Sequence, residues 1–171
     1  MDTWDAIRAR RNVRAYSDRP IHNGDLERIL EAGWLAPSAN NRQHRDFVVS
    51  TDRNQLEQLA EVWQWARHVA SSAATVVVVI PASTDARDRE LDEFDAGQAV
   101  MAMMIEASDL GIGSGHASVG DQARARGVLG LPEDRECACM VAFGYPADRP
   151  LAPVKKPDRR PFNEVVHRAR W

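Results

Sequence analysis

"DAGQAVMAMMIEASDLGIGSGH", residues 95–116, admits two readings that lead to different folds. Its glycines at 111, 113 and 115 invite comparison with a dinucleotide-binding loop, and with it a doubly wound parallel sheet. That loop requires G-x-G-x-x-G directly after a strand and at the opening of a helix. Here the three glycines are evenly spaced and close a helical stretch, residues 89–110, of roughly 30 Å at 1.5 Å per residue. The stretch is small and apolar on several sides, as in a helix buried on more than one face. The glycines then read as a helix C-cap, followed by a chain that passes close to something else.

Outward from this stretch, "AATVVVVIP" (73–81) is the longest strongly apolar run. Its β-branched content and closing proline mark a buried central strand. It is far shorter than the ~20 apolar residues that cross a bilayer. "DFVVS" (46–50) and "CACMVAFGYP" (137–146) are further strands, the second closing in a turn. Helices are expected over 2–10, carrying Trp4 and Ile7, and over 24–35, with Leu26, Ile29, Leu30 and Gly33 on one stripe. Two more are expected over 53–67, with Leu56, Leu59, Val62 and Trp63 at helical spacing, and over 121–129. "APSANNRQ" (36–43) is a loop by its Pro, Ser and Asn content. The tail "PVKKPDRRPFNEVVHRARW" (153–171) is rich in Pro and Arg and ends in a short helical pattern. Helices and strands mix without a strict βαβ rhythm, so the fold class is α+β.

A chain of 171 residues is expected to form one domain, 1–171, with a sizeable core. Apolar residues at 44% and charged residues at 27% are an ordinary globular balance. A net charge of −3 exerts no global pull toward nucleic acid or anionic membranes, so neither is an expected partner. "MDTWDAIRARR" is charged throughout, unlike a secretory signal, and a cytoplasmic location is expected.

Against that background "RRNVRAYSDRP" (10–20) gathers Arg10, Arg11, Arg14 and Arg19 into eleven residues. A solvated charged face covers Arg8 and Arg19. Arg10, Arg11 and Arg14 sit where a short helix runs into an extended segment. Neighbours on a helix point about 100° apart, so Arg10 and Arg11 alone would not clamp one phosphate. A phosphate on Arg10, with Arg11 and Arg14 reaching along the rest of a cofactor, uses all three. Arginine suits the task because its guanidinium stays charged and donates forked hydrogen bonds.

No nucleophile constellation appears, neither GxSxG nor a P-loop. The five histidines, His22, His44, His68, His116 and His167, lack metal-ligand spacing and read as surface or satisfied polar residues; no metal is expected. Cys137 and Cys139, on one strand, would point to the same face as two free thiols. For an enzyme, the chemistry must then come from a cofactor.

Along nearly its whole length the chain resembles the FMN-dependent nitroreductases. "RRNVRAY" (10–16) looks like the family's Arg-Arg-Ser-x-Arg-x-Tyr/Phe signature, and "APSANNRQ" is similar to its Ala-Pro-Ser-x-x-Asn-x-Gln loop. "DAGQAVMAMMIEASDLGIGS" (95–114) resembles its long central helix and the glycine turn after it. "GYP" (144–146), followed by "RRPFNEVVH" (159–167), completes four motifs in the family's order.

The resemblance implies a central antiparallel sheet surrounded by helices, and an intertwined homodimer with two FMN sites at the subunit interface. It assigns Arg10 to the FMN phosphate, Arg11 and Asn12 to the ribityl chain and ring, and Arg14 to the N1/O2 edge of the ring. Pro37, Ser38 and Asn41 would come from the partner subunit, with Gln43 nearby. Arg159, together with Arg160, would complete the phosphate site, and the backbone at Gly113 and Ser114 would lie near the phosphate or ring edge. Gln64 and Arg67 are candidates for the pyrimidine edge.

The activity implied is that of an NAD(P)H oxidoreductase. NADH or NADPH reduces the flavin, and a nitroaromatic, quinone or similar acceptor reoxidises it in ping-pong turnover. Arg14 serves as preorganised electrostatics for the negative charge at N1/O2. Flavin fragmentation, dehalogenation or azoline oxidation on the same fold are alternatives, as is a non-catalytic flavin-binding module. Asn12 stands where the family has serine and keeps hydrogen bonding. "HRDF" (44–47) replaces Pro-Trp-Arg-Phe and alters the wall near the ring. The short chain leaves no room for an inserted lid.

Overall fold

In a computed structural model that describes all 171 residues, four strands form one sheet: β1 (Asp46–Ser50), β2 (Ala74–Pro81), β3 (Gly113–Ala117) and β4 (Arg135–Gly144). Their order is β1-β2-β4-β3, and every neighbouring pair is antiparallel. The run "ATVVVVI" fills the interior of β2, buried at every position from Ala74 to Ile80. A strand covered on both faces reads as a continuous apolar run for this reason.

The helices are α1 (Thr3–Ala9), α2 (Asn23–Trp34), α3 (Arg53–Ala60), α4 (Ala86–Asp109), α5 (Gln122–Leu129) and α6 (Phe162–Val165), the last exposed throughout. Alternate side chains of β2 feed two cores. Val76, Val78 and Ile80 pack with Ile29 of α2 and with Met103, Met104 and Ala107 of α4. Val77 and Val79 pack with Leu56 and Leu59 of α3 and Ala125 of α5. Aspartates cap four of the helices. Asp2, Asp52, Asp85 and Asp121 each accept from backbone N–H groups of the first turn.

The glycine turn is a C-cap, as its spacing predicts. Gly111 adopts φ 73°, Gly111 N donates to Ser108 O at 3.1 Å, and Ile112 N donates to Ala107 O at 2.7 Å. The two bonds form a Schellman motif that ends α4. The chain then enters β3, a strand that the sequence reading leaves out because "GSGHA" carries no β-branched or aromatic signal. What passes close to it is the N-terminal segment of the same chain. A Cβ added at Gly115 would lie 2.3 Å from the carbonyl oxygen of Val13, and one at Gly113 would lie 2.7 Å from the Val13 side chain.

Two further expectations are corrected. The helix expected over 53–67 stops at Ala60. The Val62 carbonyl beyond it accepts from Gly120 N and Asp121 N at 3.2 and 2.9 Å, so a tertiary contact takes a group that a continued helix would use. Nor do Cys137 and Cys139 share a face. The register between β2 and β4 slips between Val78 and Val79, which pair with Cys139 and Cys137, leaving Ala138 as the extra residue of a β-bulge. Cys137 joins the α3/α5 core, whereas Cys139 packs against the α2/α4 core. Both thiols are free, and burial pushes each up to about 11, so they stay protonated and inert. On α1, Ala6 and Ala9 turn inward and Trp4 and Ile7 stay exposed.

Candidate active site

The segment after α1 is strapped across β3. Val13 N donates to Ser114 O at 2.8 Å, and Asn12 pairs with Ser114. Tyr16 OH lies 2.8 Å from Val13 O and 3.1 Å from Ala142 O, and Ser17 N donates to Tyr145 O at 2.9 Å. Burial holds the Tyr16 phenol above its ordinary range, so it remains a donor. Val13 and Tyr16 face inward, and Arg14 faces out.

Three of the arginines here have protein partners. Arg8 donates to Val154 O at 3.3 Å, and the Arg19 guanidinium lies 3.8 Å from the centre of the Tyr145 ring. Nη2 of Arg11 pairs with Asp148 at 2.6 Å and donates to Arg149 O at 3.0 Å. That pairing holds the exposed Asp148 carboxyl below its usual range. The guanidiniums of Arg10 and Arg14 form no hydrogen bond or ion pair with the protein. Between them Oδ1 of Asn12 is buried with no partner. A buried polar atom left unmatched is costly unless a ligand completes it.

Beside Arg14 opens a cleft of about 470 Å³ lined by Arg14, Gln64, Trp65, Arg67 and His68. No carboxylate lines it. The pyrimidine-edge candidates Gln64 and Arg67 both line it. Sequence reasoning missed two members. Trp65, 70% exposed, stands at the mouth. His68 is buried, with Nε2 3.2 Å from the carbonyl oxygen of Gly115. Burial is the main cause that lowers its pKa; the Gly115 bond opposes it, and the Arg14 charge adds to it. Isolated in sequence among polar and aromatic residues, His68 gives no spacing signal that would find it.

The 36–43 loop is tied instead to α4. Ser38 Oγ accepts from Gln43 N at 3.0 Å, and Gln43 Nε2 donates to Asn41 O at 3.3 Å. Asp95 accepts from Ala39 N at 2.9 Å, and Arg45 donates to the carbonyls of Ala36 and Pro37. Arg159 and Arg160 bond only within the tail, to Asp158 and Glu164. No hydrogen bond or ion pair joins residues 155–171 to the rest of the chain. One chain thus gathers Arg10, Asn12, Arg14, Gly113 and Ser114, with Gln64 and Arg67 beside Arg14. Its bonds do not connect this set to Pro37, Ser38, Asn41, Gln43, Arg159 or Arg160.

These residues fit an FMN: two unpaired guanidiniums, an orphaned amide oxygen between them and a cleft free of acids. The model of one family, the Nitroreductase family, matches residues 7–67 and 63–145. The chain belongs to the nitroreductase family. A relative from Archaeoglobus fulgidus, provisionally named NADH dehydrogenase/NAD(P)H nitroreductase, is 32% identical over 169 residues, 96% of each chain. The NADPH-flavin oxidoreductase of Vibrio harveyi is 26% identical over 97% of this chain and 73% of its own. The FMN-dependent nitroreductase of Clostridium difficile R20291 superposes with a TM-score of 0.84 at 21% identity, over 97% of this chain and 98% of that one. This likeness shows the nitroreductase fold, an α+β arrangement around an antiparallel sheet. No helix of the chain is long and apolar enough to cross a membrane.

Proposed function

We propose that the protein is an FMN-dependent NAD(P)H oxidoreductase, cytoplasmic and homodimeric, that reduces nitroaromatic, quinone or similar small acceptors. The observation that carries this reading is the unpaired Arg10 and Arg14 flanking the orphaned oxygen of Asn12. FMN, when bound, supplies the hydride relay between the nicotinamide and the acceptor. The chain's own groups bind and polarise. Arg10 anchors the phosphate, and Asn12 and Arg11 line the chain that follows it. Arg14 places a fixed positive charge where negative charge develops in the reduced state. No acid–base pair lines the cleft, in keeping with chemistry held by a cofactor. The 37–43 loop, Arg159 and Arg160 complete the site from a second copy.

Purified protein is expected to be yellow, or to become so with FMN, and to oxidise NADH or NADPH steadily with a quinone. A colourless protein that leaves FMN fluorescence unchanged at micromolar concentration overturns the reading. The two free arginines should separate in function. Arg10→Ala weakens FMN binding by roughly tenfold or more, the loss of one charge-assisted hydrogen bond of about 1.5–3 kcal/mol. Arg14→Gln leaves binding closer to wild type but lowers the flavin's potential and slows hydride transfer. Titration and stopped-flow traces of both variants decide, and interchangeable phenotypes would show the roles to be misassigned.

The tail gives a further test. Phe162, Val165, Val166 and Trp171 are all exposed, an apolar set that a single chain leaves uncovered. Deleting residues 158–171 is expected to weaken the dimer and FMN binding together. Sedimentation and flavin titration measure both. A truncated chain that stays dimeric with full affinity would make Arg159 a plain surface charge.

A further inference from the structure

We propose that His68 takes up a proton when negative charge arrives in the cleft beside Arg14, and so balances the charge of the reduced site. The proposal rests on the flavin reading above.

The geometry around the ring is prepared for both of its states. The Gly115 carbonyl can only accept, so Nε2 carries the proton of the neutral imidazole and donates at 3.2 Å. Backbone hydrogen bonding at Trp65 also favours the protonated ring. A neutral imidazole has one N–H to offer, whereas an imidazolium has two. The backbone therefore already suits the cation. Burial and the positive field of Arg14 work against it, with a smaller contribution from His116 on β3.

The groups facing His68 do not otherwise relieve that field. Arg67 lies on the same turn and lines the same cleft, and the Tyr16 hydroxyl lies across Gly115 as a neutral donor. With no carboxylate in the lining, only a bound ligand can bring negative charge to Arg14. A hydride from NAD(P)H, which leaves as NAD(P)⁺, adds one negative charge to the site. One proton from solvent, taken on Nδ1 of His68, restores the net charge. A quinone then consumes one hydride and one proton on becoming a hydroquinone, and His68 returns to neutral.

The sign follows from linkage. Negative charge beside Arg14 raises the affinity of His68 for its proton, so reduction takes up one extra proton between the two pKa values of His68. Outside that window, with His68 neutral or charged in both states, the extra proton disappears.

The test begins without ligand. NMR titration of the His68 ring signals should give a higher pKa in Arg14→Gln than in wild type, by roughly one unit, a tenfold change in proton affinity. In FMN-loaded protein the same signals should report a neutral ring when oxidised and a charged ring after reduction with dithionite. The potential of the wild type should then carry one more proton per two electrons than that of His68→Gln, whose amide still donates to Gly115. A His68 titration unmoved by Arg14→Gln overturns the proposal, as does an unchanged ring state on reduction. A protein that binds no FMN overturns the flavin reading and the redox half of the proposal, while the ligand-free titration still decides whether Arg14 controls His68.

Discussion

Gly115→Ala yields a protein that loses stability by about 3 kcal/mol or more and no longer holds Arg14 in place. The added methyl would sit 2.3 Å from the carbonyl oxygen of Val13, 3.1 Å from the Tyr16 hydroxyl and 3.2 Å from the His68 ring. The nearest of these is backbone, so no rotamer change relieves it. The strap cannot move off alone, because Val13 N is bonded to Ser114 O and Tyr16 OH to Val13 O. Overpacking typically costs about 1–3 kcal/mol, and more when backbone is fixed on both sides. For a chain of this size about 3 kcal/mol is a fall in Tm of roughly 6–12 °C. Gly97→Ala on the exposed side of α4 is the control. Nothing lies within 4 Å of its added Cβ, and a helix interior favours alanine by roughly 0.5–1 kcal/mol, so its Tm should rise. If Gly115→Ala melts like wild type, the strap does not lie against β3 as described.

Arg42→Ala carries the second large effect. The Asp92 side chain on α4 is 1% exposed, and neither of its oxygens has a hydrogen-bond partner. Its charge is met at a distance by Arg42 Nη2 at 3.4 Å; His44 Nδ1, equally far away, accepts from Arg42 Nε and so holds that guanidinium in place. Arg42 also binds Asp88 at 2.8 Å. Removing one side of a buried pair costs about 3–5 kcal/mol, because the remaining charge is stranded. With Arg42 itself 19% exposed, the loss should fall at about 3 kcal/mol, the lower end of that range. Replacing both partners, Arg42→Met with Asp92→Leu, should recover most of it. Denaturant unfolding of the single and double variants decides, and a single variant as stable as wild type would mean that Asp92 does not depend on Arg42.

That pair also bears on the site. Asn40, Asn41 and Gln43 adopt φ of 51°, 56° and 55°, a left-handed run that costs roughly 1–2 kcal/mol per residue for most side chains and less for asparagine. A loop in this conformation needs an outside hold. Asp92 and Asp95 of α4 provide it, through Arg42 and through Ala39 N. Flavin affinity should fall together with stability in Arg42→Ala if this loop completes the site.

What the sequence made legible is what periodicity and punctuation encode. The apolar run of β2 announces a strand buried on both faces, and Gly111 announces the end of α4. β3 stays hidden because its two small glycines are chosen for the strap above them, a tertiary reason that leaves no strand propensity. The false extension of α3 has the same origin, since Val62 keeps helical spacing while its carbonyl serves the 120–121 turn. In the site, the arginine run shows where charge gathers, but not which arginines stay free. Asp148 claims Arg11 from 137 positions away, and Tyr145 claims Arg19 from 126. His68 and Trp65 enter the cleft only because the chain turns after Ala60, and no local pattern records that turn.

The bulge at Ala138 bears on how such a protein withstands oxidants. Two thiols two residues apart on a regular strand would share a face, with Cα atoms roughly 6.5–7 Å apart, at the upper limit of what a disulfide can bridge. With the sheet between them, Cys137 and Cys139 cannot react with each other. With no dithiol to close, the fold's integrity is uncoupled from the thiol–disulfide poise of its surroundings. One extra residue in one strand gives the protein that indifference without removing either cysteine.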